Sequence, residues 1–81
     1  MPETTAPRRV APVDHDPVAL KWARERAGFT QAQLARATNL SRSLVSEAEK
    51  GTRSLSPANR IRVAAALNCP VTVLERRPEP R

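Results

Sequence analysis

The chain has 81 residues, a net charge of +6, one cysteine and only two aromatic residues, Trp22 and Phe29. That length holds at most one small domain, a lone cysteine cannot close an intramolecular disulfide, and no apolar run reaches membrane-spanning length. The alanine-rich, aromatic-poor composition favours closely apposed helices over strands. The start MPETTAPRRV has no hydrophobic signal region, and with the single thiol this leads to an expectation of a soluble, cytoplasmic protein.

In chain order, Pro2, Pro7, Pro12 and Pro17 punctuate a stretch with few apolar side chains and no helical period. Residues 1–16 are therefore expected to form a flexible arm. A first helix starts at Pro17, whose missing N–H costs nothing at the first helical position, with Asp16 as its cap. Leu20, Ala23, Arg24 and Ala27 share one face of it, and Gly28 supplies a left-handed end. Thr30 and Gln33 form a capping box for the second helix, where Phe29 can staple onto Leu34. Asn39, next best after glycine in the left-handed region, ends it. Ser41 caps a third helix over 42–50, with Val45 and Ala48 inward and Gly51 at its end. Ser56 and Pro57 repeat the cap-and-proline start for a fourth, expected to turn Ile61, Ala64 and Leu67 inward. After Asn68-Cys69-Pro70, a short fifth helix places Val71 and Leu74 inside. No segment reads as a strand. The expected fold is all-α, five compact helices over 17–77 with a tail at 78–81.

Residues 30–51, TQAQLARATNLSRSLVSEAEKG, hold two short helices around the turn formers Thr38-Asn39-Leu40-Ser41. This is the spacing of a helix-turn-helix, whose second helix projects into the major groove of DNA; a plain helical hairpin is the alternative. Ala35 lets the two helices approach closely, and Leu40 plugs the space between them. Charge agrees with a polyanionic partner. Residues 17–77 carry eleven lysines and arginines against four glutamates, so the positive charge sits on the folded part.

FTQAQLARATNLSRSLVSEAEKG, followed by IRVAAALNCPVTVL, resembles the Cro/C1-type (lambda repressor-like, XRE) helix-turn-helix family over about residues 18–75. The resemblance rests on T-Q-x-x-L-A at Thr30–Ala35, L-S-x-S-x-V at Leu40–Val45, E-x-G at Glu49–Gly51 and A-x-x-L at Ala64–Leu67. The chain departs from the family pattern at Asn39, usually glycine, and at Ser54-Leu55, where a proline is frequent. Asparagine tolerates the left-handed conformation, and a proline follows at Pro57, so neither departure threatens the expected fold.

With Val45 and Ala48 inward, the opposite face of the third helix carries Arg42, Ser43, Ser46 and Glu47, with Leu44 at the margin. Arg42 can reach guanine O6 and N7, Ser43 can donate or accept, and Glu47 can accept from cytosine N4. Leu44 either touches a thymine methyl or completes the core, and Glu47 is alternatively a solvated charge. The resemblance implies that Arg42, Ser43 and Glu47 hold base-reading positions. Phosphate contacts are expected from Gln31, Arg36, Lys50, Thr52 and Arg53; for Arg36 and Arg26 the two readings are a phosphate contact or a solvated arginine, with the second favoured for Arg26. Arg24 and Glu49 point inward from the first and third helices, and the resemblance implies that they pair as a structural ion pair.

Enzymatic readings fail on inventory. His15, the sole histidine, falls in the expected arm; no His, Cys, Asp and Glu set has metal-ligand spacing; and two glycines cannot build a phosphate loop. No cofactor, metal or catalytic residue is expected, and Cys69 should pack as a small apolar residue. The expected function is a sequence-specific, DNA-binding transcriptional regulator or repressor on double-stranded DNA. It would act as a homodimer through Val73 and Trp22, because useful specificity generally needs two half-sites. Val73 and Trp22 covering each other within one chain is the alternative to that contact. Two other functions stay open: an antitoxin-type protein that binds a toxin and represses its own operon, or a non-specific nucleic-acid binder. The lack of an aromatic stacking platform weighs against RNA.

Overall fold

The computed structural model describes residues 13–75; the expectations for residues 1–12 and 76–81 lie outside them. Four α-helices follow one another: α1 Pro17–Arg26, α2 Gln31–Thr38, α3 Arg42–Lys50 and α4 Pro57–Leu67. Each starts where a short polar side chain satisfies a backbone N–H that the helix leaves orphaned. Asp16 accepts from Ala19, Thr30 from Gln33, Ser41 from Leu44 and Ser56 from Asn59. Gln33 completes the capping box by accepting from the Thr30 N–H at 2.9 Å. The ends are equally local. Asn39 and Asn68 take left-handed φ values of 60° and 56°, which asparagine tolerates. At Gly51 (φ 81°) a Cβ would also sit 3.2 Å from the Pro17 ring, so a side chain there would meet a tight neighbour as well as a left-handed backbone.

The buried set, Leu20, Ala23, Leu34, Ala35, Val45, Ala48, Leu55, Val63, Ala64, Leu67 and Leu74, forms one core. Around it α2 packs on α3 and α4, while α1 packs on α3 and on the C-terminal turn. Ala35 is buried and Leu40 half-buried between the motif's two helices, as its close crossing demands.

Four details differ from expectation. The fifth element is a single 3₁₀ turn, Val71–Leu74, entered from Pro70 without a side-chain cap; four residues are too few to nucleate an α-helix. In α4 the inward positions are Val63, Ala64 and Leu67, while Ile61 is 61% exposed. The half-buried Arg60 takes the place on that stripe, its Nη1 donating to the Leu55 carbonyl at 2.7 Å. Ala27 is exposed, since α1 ends at Arg26. Leu55, in the α3–α4 loop, is a fully buried core residue.

The arm's boundary also moves: residues 13–16 belong to the domain. His15 is fully buried, with Nε2 2.8 Å from the Ala48 carbonyl and Nδ1 accepting the Leu55 N–H at 3.3 Å. The carbonyl can only accept and the amide can only donate, which assigns the proton to Nε2. Flanking bonds hold the segment on both sides. Asp14 N–H donates to Ser54 Oγ at 3.1 Å, Asp16 N–H donates to the Leu74 carbonyl at 2.9 Å, and His15 forms an isolated antiparallel bridge with Glu75.

Candidate nucleic-acid interface

The helical period of α3 divides its residues cleanly. Val45 and Ala48 are buried and Leu44 is half-buried against the core. Arg42, Ser43 and Lys50 are exposed, and Ser46 and Glu47 are half-exposed. Arg42, Ser43, Ser46, Glu47 and Lys50 line one shallow concavity of about 350 Å³, together with Gln31 from the start of α2. Two separate sequence expectations, base contacts from α3 and an anchor from α2, thus fall on one surface. Leu44 and Arg36 do not line it.

Beneath this surface lies a polar network. Arg24 donates from Nε to Glu49 Oε2, from Nη2 to Oε1 at 3.1 Å, and from Nη1 to the Phe29 carbonyl at 2.7 Å. The hydrogen bond to Glu49 holds the guanidinium above its ordinary pKa; burial opposes, and the charges of Glu49 and Glu25 add to the rise. Gln31 Nε2 also donates to Glu49 Oε1, at 3.0 Å. One amide hydrogen of Gln31 is therefore committed to the protein, by a bond across 18 residues that its place at a helix start gave no reason to anticipate. The network joins α1, the start of α2 and α3 in a single unit.

The loop after α3 folds back on that helix. The Thr52 N–H and Oγ1 donate to the Glu47 backbone carbonyl at 3.0 and 3.2 Å, and Arg53 Nη1 donates to Glu47 Oε1 at 3.2 Å.

A second surface, sharing no residue with the first, lies between α1 and the C-terminal turn. Trp22 is 56% exposed and Val18 more so, and both line a concavity of about 450 Å³ with Val73 and Thr72. The Arg26 guanidinium stacks 5.4 Å over the Trp22 ring, so Arg26 is a cation–π partner as well as a solvated charge. Cys69 packs half-buried against the core, and burial pushes its thiol pKa up. Among the described residues no group of three or more His, Cys, Asp or Glu could hold a metal ion, and no helix is long and apolar enough to cross a membrane. His15 has both ring nitrogens committed to backbone groups.

A family model described as helix-turn-helix matches residues 20–74. The chain is 41% identical over 54 residues to a competence pilus inhibition repressor of Acinetobacter baylyi, a match covering 67% of this chain and 49% of the relative. It thus spans about half the length of that curated protein. Among solved structures it is similar to the restriction-modification controller protein C.AhdI of Aeromonas hydrophila, at 32% identity and a TM-score of 0.68, over 70% of this chain and 86% of that one. The clp gene regulator ClgR of Corynebacterium glutamicum matches at 32% identity and a TM-score of 0.66, over 69% and 72% of the two chains.

Proposed function

The chain belongs to the helix-turn-helix family of the Cro/C1 (XRE) type, and we propose that it is a sequence-specific, DNA-binding transcriptional regulator whose α3 reads the major groove. The observation that carries this reading is the convergence of Arg42, Ser43, Ser46, Glu47, Lys50 and Gln31 on one outward, concave surface. Its shape and its donor and acceptor content suit base edges flanked by phosphates. In this reading Arg42 donates to guanine, Ser43 and Ser46 adapt to either base of a pair, and Glu47 accepts from cytosine N4. Gln31 offers its second amide hydrogen to a phosphate while the first holds Glu49. Lys50, Thr52 and Arg36 add backbone contacts at the edges. The related proteins are named as a repressor, a controller and a gene regulator, which supports the same role here. A protein working on chromosomal DNA would act in the cytoplasm. Selection from a random DNA pool tests the proposal: one motif should be enriched, and a pool that stays random would refute it.

The same reading includes a homodimer. One α3 spans only a few base pairs, whereas two copies about one helical turn apart supply useful specificity. The exposed Trp22 and Val18 beside Val73 give an apolar patch that shares no residue with the α3 surface, available for an isologous contact. Sedimentation with the selected DNA should show two chains per site, and Val73→Glu should return the protein to one chain and weaken binding. A wild type that stays monomeric on its best site would sink the dimer while leaving the DNA reading intact.

A further inference from the structure

The Arg53–Glu47 pair lies at the rim of the α3 surface, with side chains 61% and 43% exposed. In water an ion pair this open contributes little to folding. Yet its placement is built by the backbone. Gly51 turns the chain left-handed, and Thr52 closes the turn with two hydrogen bonds on the Glu47 carbonyl. Arg53 is thereby set over the side chain of the very residue whose backbone closes the loop. Arg53 engages Oε1; among the described residues Oε2 accepts no hydrogen bond. Glu47 also lines the concavity with Arg42 and Ser43, so a carboxylate with one oxygen still open to a further donor sits on that surface.

A carboxylate entering a DNA groove meets two penalties: repulsion from the phosphates and loss of its water. An arginine held on one oxygen reduces both and removes the side chain's freedom to swing away, leaving the other oxygen as an oriented acceptor.

We propose that Arg53 is a positioning residue for DNA specificity, one that neutralises Glu47 and aims its free oxygen at a cytosine amine. This rests on the DNA-reading role of α3. It departs from a plain phosphate contact, which would carry no sequence information. The two residues then act as one unit, so removing either should cost the same base preference and removing both should cost no more.

The experiment selects DNA from a random pool with wild type, Glu47→Ala, Arg53→Ala and the double variant, and measures affinity for the wild-type motif at several salt concentrations. The wild-type motif should contain one C·G pair whose preference falls about tenfold, the lower end of what a hydrogen-bonded base contact discriminates, in all three variants alike. Preferences at the other positions should persist. Arg53→Ala that keeps this preference while binding every sequence more weakly, with a shallower salt slope, would overturn the proposal and make Arg53 a phosphate contact. Loss at different base pairs in the two single variants, or an unchanged motif in Glu47→Ala, would overturn it equally. A wild type that enriches no motif overturns the DNA-reading premise itself and the proposal with it, an outcome distinct from the others.

Discussion

Glu47 and Glu49 stand two residues apart on α3, each paired with an arginine, and they do opposite work. Two residues turn a helix by roughly 200°, so one carboxylate faces the scaffold and the other the solvent. Glu49 is 4% exposed in its side chain and receives hydrogen bonds from both Arg24 and Gln31. Glu47 is 43% exposed and receives one, from Arg53. The chemistry of the two pairs is the same, so the difference teaches that desolvation decides what an ion pair is for. Withdrawn from water, the pair fixes one element on another, and loss of either partner strands a charge. Left in water, it contributes almost nothing until another molecule covers it.

The sharpest way to break that contrast is Glu49→Ala. It should destabilise the fold by about 3–5 kcal/mol, because Arg24 stays behind without its main partner. In a domain this small that is a loss of at least about 12 °C in melting temperature. A shift of a degree or two would mean that Arg24 finds water and that the inner pair is no more structural than the outer one.

On the outer face Arg42→Ala should leave the melting temperature unchanged, because the side chain is exposed and bonds to nothing among the described residues. It should weaken binding to the selected DNA by about 1–3 kcal/mol and relax one base preference. A variant that melts earlier while selecting the same motif would reverse the assignment of the two faces. The smallest effect belongs to Glu47→Ala measured without DNA. Its stability should stay within about 0.5 kcal/mol of wild type, and a larger loss would show that the outer pair already supports the fold unliganded.

What was legible in the sequence was local. Asp16, Thr30, Ser41 and Ser56 announce helix starts, and Asn39, Gly51 and Asn68 announce ends, because each acts on backbone groups within a few residues of itself. The motif's two helices and the outward face of α3 follow from those boundaries and from Val45 and Ala48. What was hidden depended on partners distant in sequence. Leu55 looks like an isolated loop residue until α4 and His15 close over it. Ile61 and Val63 compete for the same inward stripe, and hydrophobicity favours isoleucine unless Arg60 is seen anchoring to Leu55. His15 did carry a faint signal, since the residue before a helix cap often packs inward. The outward surface of α3 was foreseeable from its period, but the bonds of Gln31 to Glu49 and of Arg53 to Glu47 span 18 and 6 residues and follow from no repeat.

The buried imidazole also sets where this module can be cut or joined. Similarity to the family begins at residue 20, but a fragment trimmed to that point would lose the Asp16 cap, the donor to the Leu74 carbonyl and the ring that links Ala48 to Leu55. Several polar groups would then face the interior without partners, at a cost of about 1–3 kcal/mol for each one left buried. The usable module begins no later than Asp14. Its amino end is tied to Ser54, next to Arg53, and the His15–Glu75 bridge brings the carboxyl end of the described residues to the same place. A domain joined directly to either end of residues 13–75 would therefore start beside the loop that carries that arginine.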